Sequence, residues 1–585
     1  MRASTRTAAF GSNPMLDSAL GYRYAPYRDE PGVKRVVAFG DHSHRCPTYV
    51  TRVPPCTRDC PAGEDIRGYH NLLTGVEKSA SAWEAAWRRI VDRNPFPAVM
   101  GRVCPHPCES GCNRARLDEA VGINAVEHAI GDFGIEKKLA LDRPAPATGK
   151  RVAVVGGGPA GLSAAYQLAR RGHEVTLFDE KEKLGGMMRY GIMGYRVHRS
   201  VLDAEIQRIL DLGVKTRPGV LLGRDVTLAG LERDYDAVFV GVGAQQGTGL
   251  PVPGFADSPD ATNAIRFLAD FEANGNAMRL GKNVAVVGDG DVSMDVARLA
   301  LRLGVRATLL SAVARQEMAC RRFEFDDAAR EGATLRERVG VVGVVAEQGR
   351  VRAARCVQMQ KKAKGEGGYD SPVPFLRYKP VAGSEFEVPC DMIVAAIGQR
   401  TDMAGLEALG SGPFLQVDEH FRVKGREKVF GGGDALRIDL IATAVGHGRK
   451  AAECMHLFLS GQPPAPARFQ DVIPFEKLHP YYYPHSAQQQ RSHLEFTDVA
   501  GNFEEPLKSL PQEAALAESK RCMSCGLCFE CRQCVMYCPQ EAISYFKSNG
   551  IGQAVYTDYT KCVGCTICAD ACPCGYIQMG MGEDL

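Results

Sequence analysis

The sequence carries almost no net charge: 71 Lys and Arg stand against 69 Asp and Glu over 585 residues. A surface for nucleic-acid phosphates or anionic lipid needs a cationic excess, so neither is an expected partner. No apolar run reaches the ~18 residues of a transmembrane helix. The opening MRASTRTAAFGSNPMLDSALGYRY also lacks the apolar core of a secretory signal. A cytoplasmic protein without a membrane span is expected. Tryptophan is limited to two residues, Trp83 and Trp87, which recur with Ile90 at helical spacing and read as core packing. Cysteine is missing from most of the chain. Only Cys320, Cys356, Cys390 and Cys454 occupy the long middle, while six lie between Cys46 and Cys112 and eleven between Cys522 and Cys574. Disulfide stapling would not segregate them in this way, so the two dense blocks read as metal regions and the four middle cysteines as buried thiols.

The C-terminal block contains Cys528-x2-Cys531-x2-Cys534-x3-Cys538-Pro and then Cys562-x2-Cys565-x2-Cys568-x3-Cys572-Pro. This is the spacing of a bacterial-type ferredoxin with two [4Fe-4S] cubanes. Three thiolates on one tight loop reach three corners of a cube, and the fourth, held by Pro539 or Pro573, turns to the other cluster. The expected sets are Cys528, Cys531, Cys534 and Cys572 for one cluster, and Cys538, Cys562, Cys565 and Cys568 for the other. A zinc ribbon needs paired Cys-x2-Cys knuckles without a third cysteine and explains neither quartet. Cys522, Cys525 and Cys574 are left over, as a spare thiol pair, a docking element or structure.

Between the blocks the chain reads as parallel α/β architecture, with short β-branched strands alternating with helices. RVAVVGGGPAGLSAAYQLARRGHEVTLFDE, residues 151–180, is a strand, the loop Gly156-x-Gly158-Pro159-Ala160-Gly161, a helix and a second strand ending at Asp179 and Glu180. Gly156 permits the tight turn, Gly158 lets backbone approach a pyrophosphate, and Gly161 allows close helix–strand packing. Asp179 sits about where a carboxylate accepts the adenosine ribose hydroxyls. A second unit follows at residues 284–310, with Gly288-x-Gly290-Asp291-Val292-Ser293. Ser293 replaces the third glycine, where a small residue suffices. The stretch after its second strand, Ser311-Ala312-Val313-Ala314-Arg315, has no paired arginines to grip a 2′-phosphate, which favours NAD(H) over NADP(H). Val429-Phe-Gly-Gly-Gly433-Asp434 is a strand end feeding a helix, and Asp434 suits the ribityl chain of a flavin.

The fold expected is α/β, with two nested Rossmann-like domains for FAD and NAD, a helical iron–sulfur domain before them and a 2[4Fe-4S] ferredoxin domain after. Its expected boundaries are an N-terminal extension at 1–45, the helical domain at 46–145 and the FAD domain at 150–270 and 391–460. The NAD(P)H domain is expected at 271–390, an irregular linker draped over other domains at 461–515, and the ferredoxin domain at 516–585.

With both dinucleotide motifs, LGGMMRYGI and FGGGD placed, residues 46–460 resemble the glutamate synthase small-subunit family, which includes the flavin module of dihydropyrimidine dehydrogenase. The resemblance implies FAD in the first nucleotide domain, NAD(P)H in the nested second, and flavin contacts from Gly185, Gly186, Arg189 and Tyr190. Met193 departs from the family, which usually has proline there. The resemblance also implies N-terminal clusters: Cys60, Cys104 and Cys108 with Glu127 for one, and Cys46, Cys56 and Cys112 for another. That second set lacks a fourth ligand. His42 or His44 could supply it, or the cluster could be incomplete or absent. A zinc site is the plainer alternative for the whole N-terminal block, disfavoured because the spacings match the family's two-cluster layout.

RCMSCGLCFECRQCVMYCP, together with GDHSHRCPTYV and CPCGYIQMGMGEDL, is similar to the DsrL-type iron–sulfur flavoproteins of the dissimilatory sulfite reductase pathway. That similarity implies electron exchange between NAD and a siroheme sulfite reductase system in sulfur metabolism. A homodimer is expected. No side chain is expected to act as a general acid or base, because the cofactors carry the chemistry. The competing functions are electron donation to an amidotransferase, as by a glutamate synthase small subunit, and a non-catalytic electron-transfer subunit.

Overall fold

The computed structural model describes residues 45–275, 278, 280–410, 412–464, 470–494 and 499–580. The N-terminal extension, with His42 and His44, lies outside the described residues. Two five-stranded parallel sheets form the centre. The first runs in the order Val429–Gly431, Ala237–Val240, Arg151–Val155, Glu174–Phe178, Lys215–Arg217. Its inner strands are continuous apolar runs because helices cover both faces, and Val152, Ala153 and Val154 are fully buried. The second sheet is inserted into the first domain and runs Thr334–Glu337, Arg306–Ser311, Asn283–Val287, Met392–Ala395, Ala261–Asn263.

That strand order corrects the nested domain's limits. Ala261–Asn263 and Met392–Ala395 both pair within the second sheet, so the boundaries expected at 270/271 and 390/391 fall inside it. A parallel strand's partner is chosen across the sheet, and neither run carries a local signal of its sheet. An antiparallel hairpin, Val339–Glu347 with Arg350–Lys361, extends the domain.

The N-terminal domain packs the helices Ile66–Leu73, Ala82–Val91, Pro97–Val103 and Ile123–Glu136 around Tyr69, Trp87, Ile90 and Val126, all with no exposed surface. Trp83 stacks at a tilt on Phe133. Part of the 461–515 stretch lies on this domain: the Ile473 amide donates to Val53 O at 3.1 Å, and Asn113 Nδ2 donates to Ile473 O at 3.2 Å. Its later part reaches the nested domain, where Phe503 stacks on Phe271. The strand Cys46–Tyr49 pairs antiparallel with Ile577–Gly580, so an N-terminal segment is built into the ferredoxin module. Among the described residues no helix is long and apolar enough to cross a membrane.

Candidate functional site

The Gly156 loop caps the central strand of the first sheet. A Cβ at Gly161 would lie 1.8 Å from Gly156 O, so the helix Pro159–Ala169 starts directly against the loop only because residue 161 has no side chain. The loop opens on a void of about 1210 Å³ lined by Gly156, Gly158, Pro159, Ala160, Asp179, Glu180, Gly186, Tyr190, Gly433 and Asp434. Asp179 is oriented by the loop, accepting from the Gly157 amide at 2.5 Å and the Lys181 amide at 2.7 Å. Burial raises its carboxyl above the ordinary range. Burial also pushes Asp434 up to about 6. The helix Ile441–Leu459 reaches the void through Ile441 and Ala444, at its N-terminus.

Three residues expected in this site stand apart from the void. Gly161 packs helix against loop, and Gly185 forms a turn at φ 129°. Arg189 is 3% exposed and turned inward: its Nε donates to Leu184 O at 2.7 Å and its guanidinium pairs with Asp203. Position in a motif does not tell side-chain direction on the short helix Met187–Tyr190, and Arg189 takes the buried face. Gln245 and Asp402 line the void and were missed. Gln245 had a signal in Val240-Gly-Val-Gly243, a glycine-rich strand end like the one at Val155; Asp402 had none.

The second glycine loop, after Asn283–Val287, is held by different contacts. A Cβ at Gly288 would lie 2.3 Å from Ala396 O, whereas one at Gly290 would meet nothing within 4 Å. Ser293 is buried and its hydroxyl donates to Gly290 O at 2.5 Å, doing the packing of a third glycine. Val292 is 37% exposed. Asp291 accepts from the Arg321 amide at 2.9 Å and pairs with the Arg321 guanidinium, while the Cys320 amide donates to Asp289 O at 2.7 Å. Arg321 was not anticipated; its only signal is the basic pair Arg321-Arg322. Val313 is fully buried, and Arg315 is paired with Asp326 at 2.7 Å and lies over Phe325.

The cysteines gather in four groups. Cys60, Cys104 and Cys108 are mutual neighbours beside Glu127. Asn94 Nδ2 donates to Glu127 at 3.2 Å and to Glu64 at 2.8 Å, and burial raises both carboxyls, Glu64 to about 7. Glu64 went unnoticed in the sequence. Cys538, Cys562, Cys565 and Cys568 line a void of about 330 Å³. Cys528, Cys531 and Cys534 each have Cys572 as a neighbour. The Cys574 thiol, 3.8 Å away, lowers Cys572 to about 6 by hydrogen bonding.

Cys46 does not join Cys56 and Cys112, which corrects the expected set. Strand pairing carries it to the ferredoxin module, where Cys562 is its neighbour. Cys56 and Cys112 instead line a void with Cys522 and Cys525. Among the described residues no three His, Cys, Asp or Glu side chains are set to hold a single metal ion. Thiols arranged around a void suit a cubane better than an ion.

Three family models match: pyridine nucleotide-disulphide oxidoreductase over residues 150–448, dihydropyrimidine dehydrogenase domain II, 4Fe-4S cluster, over 33–139, and the 4Fe-4S dicluster domain over 521–576. The chain is 32% identical over 507 residues to the NADP(+)-dependent formate dehydrogenase subunit beta of Moorella thermoacetica, covering 80% of this chain and 70% of that one. It is 31% identical over 416 residues to the NAD-dependent dihydropyrimidine dehydrogenase subunit PreT of Escherichia coli O157:H7, covering 70% and 91%. It is 29% identical over 466 residues to the glutamate synthase [NADPH] small chain of Azospirillum brasilense, covering 76% and 92%. The chain belongs to the pyridine nucleotide-disulphide oxidoreductase family. Within it, the chain is a glutamate synthase small-subunit-like, NAD(P)H-dependent iron–sulfur flavoprotein oxidoreductase with FAD and with 4Fe-4S clusters in its N- and C-terminal domains.

Proposed function

We propose that this chain exchanges electrons between NADH and a protein partner, the siroheme sulfite reductase system of sulfur metabolism. One contact carries the reading. Ala444 lines the first void, and two residues on, Gly446 touches the N-terminal cluster loop so closely that a Cβ would lie 2.1 Å from Pro61 O. The wall of the flavin site and the loop of Cys60 are thus joined by half a turn of one helix.

The void suits FAD: a glycine loop admits the pyrophosphate, and two lining carboxylates, Asp179 and Asp434, are available for the ribose and the ribityl chain. Bound there, the flavin supplies the exchange between the electron pair of a hydride and the single electrons that clusters carry. The N-terminus of Ile441–Leu459 favours negative charge at that wall. Gly288 and Gly290 admit the nicotinamide dinucleotide, with Ser293 packing the turn beneath them, and the burial of Val313 and the pairing of Arg315 favour NADH over NADPH. Cys60, Cys104, Cys108 and Glu127 ligate the cluster nearest the flavin, and the two ferredoxin quartets ligate the clusters that face the partner.

The sulfite reductase assignment rests on the ferredoxin tail and its flanking motifs. A second reading has its own support: the 32% identical relative is a formate dehydrogenase beta subunit, which puts a different oxidoreductase at the far end of the same conduit. Anaerobic stopped flow tests the core claim, since NADH should bleach the flavin several-fold faster than NADPH. The opposite preference refutes the nucleotide assignment, and no bleaching by either refutes the enzyme. Co-purification from the native source, followed by assays with sulfite, formate, or glutamine plus 2-oxoglutarate, decides the partner.

A further inference from the structure

The void between the N-terminal domain and the ferredoxin module is ringed by four cysteines from two distant parts of the chain, Cys56 and Cys112 from one and Cys522 and Cys525 from the other. We propose that these four thiolates ligate a further [4Fe-4S] cluster, shared between the two domains, and that Cys46 takes no part in it. The proposal rests on the chain being an iron–sulfur flavoprotein, and it supplies the two ligands that the N-terminal block lacks.

Three observations support it. The space these cysteines line, about 380 Å³, is similar to the roughly 330 Å³ lined by Cys538, Cys562, Cys565 and Cys568. The Cys522-Met-Ser-Cys525 loop also has the backbone of the ferredoxin loops. The residue before the second cysteine is left-handed in all three cases: Ser524 at φ 48°, Glu530 at φ 64° in Cys528-x2-Cys531, and Gly564 at φ 69° in Cys562-x2-Cys565. Ser524 and Glu530 hold this conformation despite a side chain that disfavours it, which a loop obliged to turn its thiols inward explains.

The surroundings, finally, are built for the charge of a thiolate cluster. Arg67 donates to Cys525 O at 2.7 Å and Arg114 donates to Arg521 O at 2.8 Å, so two guanidiniums flank the loop. Asn71 Nδ2 reaches Ser524 Oγ at 3.1 Å, and Tyr483 OH reaches Met523 O at 2.8 Å. Cys56 lies in one short helix and Cys60, four residues on, caps its end, and Cys108 and Cys112 are likewise four residues apart across the end of another, so each short segment serves this site with one thiol and the flavin-side site with the other. Cys525 precedes Cys528 by three residues. The site therefore lies between the flavin-side cluster and the ferredoxin clusters.

Metal analysis of the anaerobically reconstituted wild-type chain should give about 16 irons, four cubanes, per flavin and no zinc. About 12 irons, or one zinc replacing four of them, overturns the proposal while leaving the flavin conduit standing; a chain without iron or flavin overturns the conduit itself. Cys522→Ser/Cys525→Ser should lose about four irons and one spin per chain in the reduced electron paramagnetic resonance spectrum, Cys56→Ser/Cys112→Ser should lose the same cluster, and combining the pairs should lose no more. Cys46→Ser should keep all of it. Full iron in the Cys522/Cys525 variant, or a missing cluster in Cys46→Ser, overturns the assignment. If either double variant fails to fold, the wild-type iron and zinc count decides alone.

Discussion

The two glycine loops have nearly the same sequence pattern and different surroundings. The first is roofed: Gly186, Gly433 and Asp434 close over it, Ala160 is 4% exposed, and its carboxylate Asp179 is fixed by the loop amide of Gly157 and by the amide of Lys181. The second is open. A side chain at Gly290 would meet nothing, Val292 is 37% exposed, and Asp291 is held by an arginine from a neighbouring loop. A cofactor that stays needs walls, and one that comes and goes needs a doorway. The glycine turn is common to both; on the proposed assignment, what surrounds it separates a resident flavin from a visiting nicotinamide.

Substitutions that treat the loops differently test this contrast. The largest effect is expected at Gly161→Ala, whose Cβ would collide with Gly156 O; bound flavin per chain, read from the visible absorbance, should fall at least about tenfold. Next is the edge of the nicotinamide site. Ala312→Arg places a guanidinium where a 2′-phosphate would lie, and should raise kcat/KM for NADPH relative to NADH by about tenfold, near the ~1.4 kcal/mol of one charge-assisted hydrogen bond. An unchanged ratio would mean that the adenosine end lies elsewhere.

Gly290→Ala should leave flavin content intact and raise KM for NADH about fivefold, ~1 kcal/mol, because the methyl projects where the pyrophosphate approaches and strains nothing in the fold. Loss of flavin in this variant would erase the distinction between the loops. The smallest effect is electrostatic. Asp434 is held near 6, above the ordinary carboxylate value, so the folded state keeps this proton to higher pH than the unfolded chain. Its contribution to stability is full at acid pH and is lost as pH rises through about 6. Between pH 5 and 7, flavin-free Asp434→Asn should therefore gain melting temperature relative to wild type as the pH is raised; a parallel pair of curves would contradict the shift.

What could be read ahead of the structure was whatever is encoded within a few residues. The Gly156 loop and both ferredoxin quartets are local spacings, and their residues come together as loops do. The nested α/β plan was legible because strand and helix periods differ. The companions of Cys56 were not, because Cys522 and Cys525 arrive from more than 400 residues away and a Cys-x2-Cys pair does not name its partners. Arg189 shows another limit: a motif places a residue near a site, whereas the turn of a short helix decides whether it looks in or away. The domain limits at 270 and 390 failed for a third reason, since Ala261–Asn263 and Met392–Ala395 are defined by the strands beside them.

The pairing of Cys46–Tyr49 with Ile577–Gly580 joins residues 530 positions apart, as in Thr48 with Gln578. During synthesis the early strand keeps an open edge until residues 577–580 have been made, so this pairing forms late. Once closed, the clasp anchors the C-terminal strand of the ferredoxin module to the segment that leads into the N-terminal domain. On the proposed function, docking then falls to a partner that approaches a fixed module, where a tethered shuttle would have swung out to meet it.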